Sequence, residues 1–529
     1  MSPRTSRLTF YIFLAILVLG AMAILYICTP AGVGLANDSV AYIAGARSIL
    51  QGTGYSDIWL DSSLEAITHY PPLLSLTLAA IGLLGVDPLR GARILNILLF
   101  GANTSLLGLL GCRMTKSRVA GLLLATLFLL NASLLRIHVF AMSESLFILL
   151  SLLSFFLFDW KVESGKWVNL PILLCGFTAG LACLTRYSGL ALVATFLLSI
   201  FLLYPTSRIK KIAFFLAGAI PPMAAWFIHN KLAAGNVTNR SFQYHPITAE
   251  NIQPGIYNFS QFLMPIETWR RALSRAGVIE WIILGLALIL LVWLVFRAWN
   301  LLRQPVSLST CLPFTTTLYI FAYLAAVLFS MSFFDASTKF QPRILAPIYV
   351  SLMVLFVAML DWVWKILNTK YTKVTKGNLV LFPYGVMALI VVFVLGLSTF
   401  DFQQTVVSFR SEGQGYASWK WHDSVVMADL KNLPSDVAIY TNTPPAVYLV
   451  TGRASRVLPT PIDPVDNRPR GDYEQNVAQM RVDLLAGKAV LALFDTSGIE
   501  DALGAENYAG FISGLKVLEK AQGDTLYGK

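Results

Sequence analysis

Apolar runs long enough to cross a bilayer, which takes about 20 residues, follow one another along most of this chain. The first, Leu8 to Cys28, sits behind the basic segment Met1 to Arg7. It is longer than the ~7–15-residue apolar core of a cleaved signal peptide, so we read it as an uncleaved anchor. Further runs lie near 94–111, 119–135, 145–158, 169–185, 188–203, 212–229, 277–296, 313–332, 344–364 and 379–399. Backbone in lipid must satisfy its own hydrogen bonds, which leaves helices as the simplest solution. Only 13% of the residues are charged and 56% are hydrophobic, against about 25% charged in soluble domains. The expected fold is therefore a polytopic α-helical membrane protein of about eleven spans.

Charge sets the sidedness. The Lys and Arg clusters near 113–118, 161–166, 208–211, 297–303 and 365–376 share one side if the short run 73–86 does not cross. The positive-inside rule makes that side cytoplasmic, together with the N-terminus. Topology then accounts for the net charge of +11, which argues against a nucleic-acid partner. The five cysteines lie in or beside apolar runs without CxxC spacing, so neither a disulfide framework nor a zinc site is expected.

Near residue 400 the composition changes to that of a soluble domain. Residues 1–400 form the expected membrane domain, with a first external loop at 29–90, and 401–529 an extracytoplasmic α/β domain. In the latter, strands are expected at 437–440, 456–458 and 489–494, with a closing hairpin around Gly523-Asp524. Helices are expected at 444–450, 473–486 and 499–514. It has no Gly-rich phosphate loop. An external tail without cysteines and compact loops point to a prokaryotic cell membrane.

The polar residues that stand out all fall at outer ends of spans: Asp38, His69, Tyr70, His138, Glu144, Arg186, Tyr187, Lys339 and Arg343, with Asp335 a weaker candidate. Ionisable groups beside membrane segments are costly and are functional candidates by default. Each also has a plain structural role to weigh. Asp38 opens a stretch, 38–50, expected to lie as an amphipathic helix on the membrane surface, and is placed to cap it. His69 and Tyr70, before Pro71-Pro72, suit interfacial anchoring. His138 suits an ordinary interfacial histidine, and Lys339 and Arg343 suit snorkelling. Taken together the set offers acids for proton transfer and cations for a phosphate, all facing one compartment.

The order of these features carries a resemblance. An acid follows the first span, then Tyr70-Pro71-Pro72-Leu73, then His138-x5-Glu144 at a span start. Leu184-Thr185-Arg186-Tyr187-Ser188-Gly189 forms a hairpin tip, and Lys339-x3-Arg343 precedes a late span. This resembles the GT-C superfamily of polyprenyl-phosphate-dependent glycosyltransferases, in the branch of the protein O-mannosyltransferases and lipid A aminoarabinose transferases. The resemblance covers roughly residues 1–400. It implies an inverting transfer from a polyprenyl-phosphate-linked sugar to a protein, lipid or glycan acceptor, with Asp38 as the essential acid of the first loop. Arg186, Lys339 and Arg343 would bind phosphate; His69, Tyr70, Tyr187, His138 and Glu144 would line the sugar and acceptor pocket. Apolar surface beside 73–86 would hold the lipid tail. Two departures stand out: Asp38-Ser39 replaces the frequent Asp-Glu pair of the mannosyltransferases, and His69-Tyr70 precede Pro71 where the aminoarabinose transferases carry a lysine. Some superfamily members use a divalent ion; here no His/Asp spacing specifies one, and a metal-independent reaction is expected.

Three other readings compete, one of them a membrane-anchored binding or assembly protein whose tail is the functional part. A lipid or glycan transporter or flippase would show internal repeats and mid-membrane broken helices, and no convincing repeat is present. An oligosaccharide ligase would share the lipid-linked donor and the large external loops.

Overall fold

The computed structural model describes residues 3–62, 64–160, 169–235, 237, 242–303, 311–334, 338–371, 381–462 and 468–529. Asp335 and the basic residues at 161–166 lie outside them. Long apolar helices dominate. They are α1 (Pro3–Ile27), α4 (Pro88–Thr115), α10 (Arg208–Ala234), α13 (Val278–Arg303), α14 (Cys311–Phe333), α15 (Pro342–Tyr371) and α16 (Leu381–Glu412). Among the described residues seven helices are long and apolar enough to cross a membrane, and a bent pair, α5 (Arg118–Leu129) with α6 (Ala132–Val139), gives an eighth if it is one span. Shorter elements complete the membrane part: α2 (Asn37–Leu50), α3 (Leu73–Gly82), α7 (Glu144–Phe158), α8 (Leu170–Cys183) and α9 (Leu190–Leu203), the last behind a single 3-10 turn at Tyr187–Gly189. A total of about eleven spans requires α7, α8 and α9 to cross as well. At about 1.5 Å per residue each is near 22 Å long, short of a ~30 Å hydrocarbon core. Helix α3 is shorter still, in keeping with a run 73–86 that does not cross.

Three expectations are corrected. The run 119–135 is not one straight helix: α5 and α6 meet at 61°. Asn131 restarts the chain there, its side chain accepting from Leu134 N at 2.9 Å as the N-cap of α6. The polar stretch 230–276, which the sequence presents as a long external loop between two spans, contains two helices, α11 (Ala249–Leu263) and α12 (Glu267–Arg275). And α2 is not the half-exposed amphipathic helix expected of 38–50. From Ser39 to Ala46 every residue is buried, because α3 and α4 cover one flank and the C-terminal domain the other.

Close helix contact uses small residues, as membrane packing favours. A side chain on Gly176 of α8 would stand 2.0 Å from the Phe215 carbonyl of α10, and one on Gly218 would stand 2.1 Å from the Leu173 carbonyl. The buried core runs continuously from α1 to α15 and on to Phe402, Phe409 and Ala417.

The C-terminal region is the expected small α/β layer. Its strands β1 (Ala438–Thr441), β2 (Arg456–Val457), β3 (Ala489–Leu493), β4 (Lys516–Ala521) and β5 (Asp524–Gly528) form one sheet in the order β2-β1-β3-β5-β4. Strand β1 is parallel to β2 and β3; β5 is antiparallel to β3 and β4. All five residues of β3 are buried, between apolar clusters on the two faces of the sheet. The sheet domain is tied to the membrane part by backbone. Leu35 N donates to Gln414 O at 3.3 Å, and Tyr416 N to Leu35 O at 2.9 Å. Gly415 makes this possible: its φ is +57°, and any side chain there would meet the Leu35 carbonyl at 1.9 Å.

Candidate active site

The segment leading into α2 is held on both sides before it reaches Asp38. Gly34 N donates to Val139 O at 2.9 Å and Ala141 N to Gly34 O at 2.8 Å, which ties it to the turn after α6. Ala36 is the N-cap, and its N–H is taken by the Ser39 hydroxyl at 2.9 Å. Asp38 is therefore free of the capping role. Its carboxylate turns to two other partners: Tyr70 OH donates to Oδ1 at 3.2 Å, and Arg343 Nη1 stands 2.6 Å from Oδ2.

From Asp38 a chain of charges runs inward. Arg343 Nη1 is also 4.0 Å from Glu144 Oε1. Glu144, at the start of α7, is 2% exposed and pairs with the Arg186 guanidinium from the turn between α8 and α9. Its second oxygen, Oε2, is buried and carries no hydrogen bond. Arg186 Nη1 lies 3.5 Å from the Ser143 hydroxyl, which Tyr42 OH also reaches at 3.2 Å. Four elements distant in sequence thus build an alternating row, Asp38–Arg343–Glu144–Arg186. Glu144 is the buried member of the row, while the Arg186, Asp38 and Arg343 side chains keep 21%, 26% and 35% exposure.

Aromatic rings wall this row. Tyr42 and Tyr70 pack edge to face at 5.6 Å, and His69 lies edge-on to Tyr70 at 5.1 Å. Burial, reinforced by the Asp38 carboxylate, pushes the Tyr70 hydroxyl above its ordinary pKa, so it remains a neutral donor. Burial followed by Asp38 and Glu144 does the same to Tyr42. Burial is the strongest influence on Arg186 and opposes its charge, but Glu144 together with Tyr323, Tyr42 and Asp38 outweighs it and the net shift is upward. Tyr187 OH donates to Thr68 O at 3.4 Å and accepts from Trp226 Nε1 at 3.0 Å, which pins the Arg186 turn to the first loop.

The sequence-derived candidates divide accordingly. Asp38, Tyr70, Glu144, Arg186 and Arg343 meet in one network, with His69 and Tyr187 at its margin. Lys339 is exposed. His138 does not open on the network. It is fully buried, flanked by the Phe100 and Phe128 rings, and both ring nitrogens are engaged, Nδ1 with Leu134 O at 2.7 Å and Nε2 with Asn103 Nδ2 at 2.9 Å. Sequence reasoning missed Tyr42, Ser143 and Gln341, which accepts from Arg343 Nε at 2.9 Å. Tyr42 was within reach, since it lies one helical turn from Asp38 on the same face.

Comparison with known proteins agrees with this architecture. Residues 66–224 match the PMT family model, described as dolichyl-phosphate-mannose-protein mannosyltransferase. Among solved structures the chain is similar to ArnT from Cupriavidus metallidurans bound to undecaprenyl phosphate, at 12% identity, with 97% of each chain covered and a TM-score of 0.54. It is also similar to the Archaeoglobus fulgidus oligosaccharyltransferase in complex with Zn and sulfate, at 12% identity and a TM-score of 0.56, over 94% of this chain and 71% of that one. Comparison with curated proteins gives no match. The fold is that of the GT-C glycosyltransferases, in an integral membrane protein. The resemblance to the branch holding the PMT and ArnT proteins is borne out, in sequence over residues 66–224 and in fold along the chain.

Proposed function

We propose that this protein transfers a sugar from a polyprenyl-phosphate donor to an acceptor hydroxyl on the extracytoplasmic side, with inversion at the anomeric carbon. The observation that carries this reading is the Asp38–Arg343 pair: a carboxylate and a guanidinium 2.6 Å apart at the half-exposed end of a buried charge row. A polyprenyl-phosphate sugar already has its leaving group. The protein must take a proton from the acceptor and stabilise the departing phosphate. Asp38 takes that proton as the acceptor oxygen attacks the anomeric carbon, a contribution typically worth ~10²–10⁴-fold. The glycosidic carbon–oxygen bond to phosphate breaks, and the electron pair leaves on the phosphate, which Arg343 and the exposed Lys339 receive. Glu144, itself held by Arg186, steadies Arg343 from behind, and Tyr70 orients the Asp38 carboxylate.

Other features support the donor class. ArnT, which has the same fold, was solved with undecaprenyl phosphate. The archaeal oligosaccharyltransferase AglB was solved with dolichol phosphate and an inhibitory peptide. Beyond α3, Leu83 and Leu84 are left exposed, apolar surface suited to a lipid tail. The acceptor is a protein, lipid or glycan, the membrane is that of a prokaryotic cell, and residues 401–529 form the extracytoplasmic domain. Asp38 and Glu144, the acids of the site, are each paired with arginine. Among the described residues no three His, Cys, Asp or Glu side chains converge. That donor set does not suit a divalent cation, so no step is routed through one.

The test is a panel of polyprenyl-phosphate sugars offered to purified protein in nanodiscs. Turnover of one donor, with a product of inverted configuration, is the expected result. Specific donor binding without turnover under any acceptor condition would favour a transporter instead.

A further inference from the structure

The opposite end of the membrane domain holds a second polar feature, which the transfer reaction does not use. Helix α4 begins beside Arg47 and Asp87, near α2, and ends about 42 Å away at Thr115. There the N-terminal part of α1, the end of α4 and the start of α5 enclose an open crevice of about 690 Å³. Four cations line it: Arg7, Arg113, Lys116 and Arg118. Arg113 is already satisfied, by Asp159 at 3.3 Å and by the Asp159 carbonyl at 3.0 Å. Arg118 donates to the Ser6 hydroxyl. Among the described residues, no carboxylate pairs with Arg7, Lys116 or Arg118. Lys116 is moreover held at a positive φ of 58° as the C-cap of α4, which fixes its backbone at the crevice mouth.

Apart from Ser6 the rest of the lining is apolar, and part of it faces outward. Tyr11 is 57% and Val119 77% exposed, on helices whose outer faces are hydrophobic. A cluster placed only to set topology needs no cavity; this one surrounds a cavity with cations at one end and lipid-facing side chains along its flank. A soluble anion would use the cations and leave the flank bare.

We propose that this crevice binds the phosphodiester headgroup of an anionic phospholipid, with an acyl chain laid against α1 and α5. Arg7, Lys116 and Arg118 hold the phosphate, and Tyr11 and Val119 meet the chain. Basic pockets between membrane helices suit such headgroups. The bound lipid would brace α1 against α5 on the membrane face away from Asp38.

The experiment measures binding and thermal unfolding, so it does not depend on the transfer reaction. Purified full-length protein is titrated with phosphatidylglycerol, phosphatidylcholine or inorganic phosphate in detergent, and retained lipid is counted by native mass spectrometry. One phosphatidylglycerol should be retained in preference to phosphatidylcholine and should raise the unfolding temperature by several degrees. Arg7→Gln/Lys116→Asn/Arg118→Gln should lower retention at least about fivefold; asparagine is chosen because it tolerates a positive φ. Single variants serve if the triple one fails to fold. Equal retention of phosphatidylcholine, undiminished retention in the variants, or the same thermal shift from inorganic phosphate alone would overturn the proposal.

Discussion

Arg343 Nη1 stands 2.6 Å from Asp38 Oδ2, although 305 residues separate them in the chain. The pair joins the first turn of α2 to the first turn of α15 and supplies the carboxylate and the guanidinium on which the proposed transfer rests. Everything around it is arranged to keep it there: Gln341 on the Arg343 Nε, Tyr70 on the free Asp38 oxygen, and Glu144 behind.

Glu144 is the residue whose loss should cost most in stability. It is buried, and Arg186 depends on it for its charge partner. Removing one member of a buried pair costs about 3–5 kcal/mol. Glu144→Gln should therefore lower the unfolding temperature measurably, and Glu144→Gln with Arg186→Gln should recover part of the loss. A double variant that is simply the sum of the singles would show that the two do not act as a pair.

His138 belongs to the core. Replacing it by alanine removes two hydrogen bonds and the packing between Phe100 and Phe128, a loss of about 3 kcal/mol. Stability should fall while KM for the donor stays within about twofold in the protein that remains folded. A large KM change at unaltered stability would return His138 to the substrate pocket.

These two residues mark how far the sequence could be read. Asp38, Tyr70, Glu144, Arg186 and Arg343 were legible because each is a polar group at the end of an apolar span, where burial has to be compensated. His138 met the same criterion, yet Asn103 and a carbonyl one turn back already satisfy it; nothing local in the sequence distinguishes the two cases. Helix α2 resembled a surface helix because its own pattern shows Arg47 and Ser48, whereas the partners that bury it are the distant α4 and the C-terminal domain. The break at Asn131 and the helices α11 and α12 were hidden for a related reason. A span was sought by hydropathy alone, and an N-cap inside an apolar run or a short helix inside a polar loop leaves that average almost unchanged.

The C-terminal domain should act on the site through the first loop. Arg456 Nε pairs with Asp61 at 2.9 Å, and its Nη1 with Asp483 at 2.8 Å and Tyr440 OH at 3.0 Å. Backbone bonds join Asp61 to Ser455 and Ser455 to Trp59. Further along the loop, Tyr55 OH donates to Tyr70 O at 3.2 Å. Such a half-exposed pair is worth roughly 1 kcal/mol or less to global stability. Arg456→Ala should instead loosen residues 53–68, seen as faster hydrogen exchange there, and raise KM several-fold with little change in unfolding temperature. Exchange unchanged in that loop would sever the connection.

Since both acids of the site are held by arginine, a chelator should leave transfer within about twofold of its starting rate, and added Mg²⁺ or Mn²⁺ should not stimulate it. Loss of activity in EDTA, restored by one divalent ion, would require a different set of ligands from those that meet here.

The most direct measurement is the single-turnover rate of sugar transfer by Asp38→Asn, which keeps the shape of the side chain and one oxygen to accept from Arg343, turns an amide NH2 toward the Tyr70 hydroxyl, and removes the basicity. With donor binding retained, the rate should fall by about 10²–10⁴-fold. A rate within a few-fold of the unsubstituted protein would remove Asp38 as the base and with it the mechanism proposed for this site.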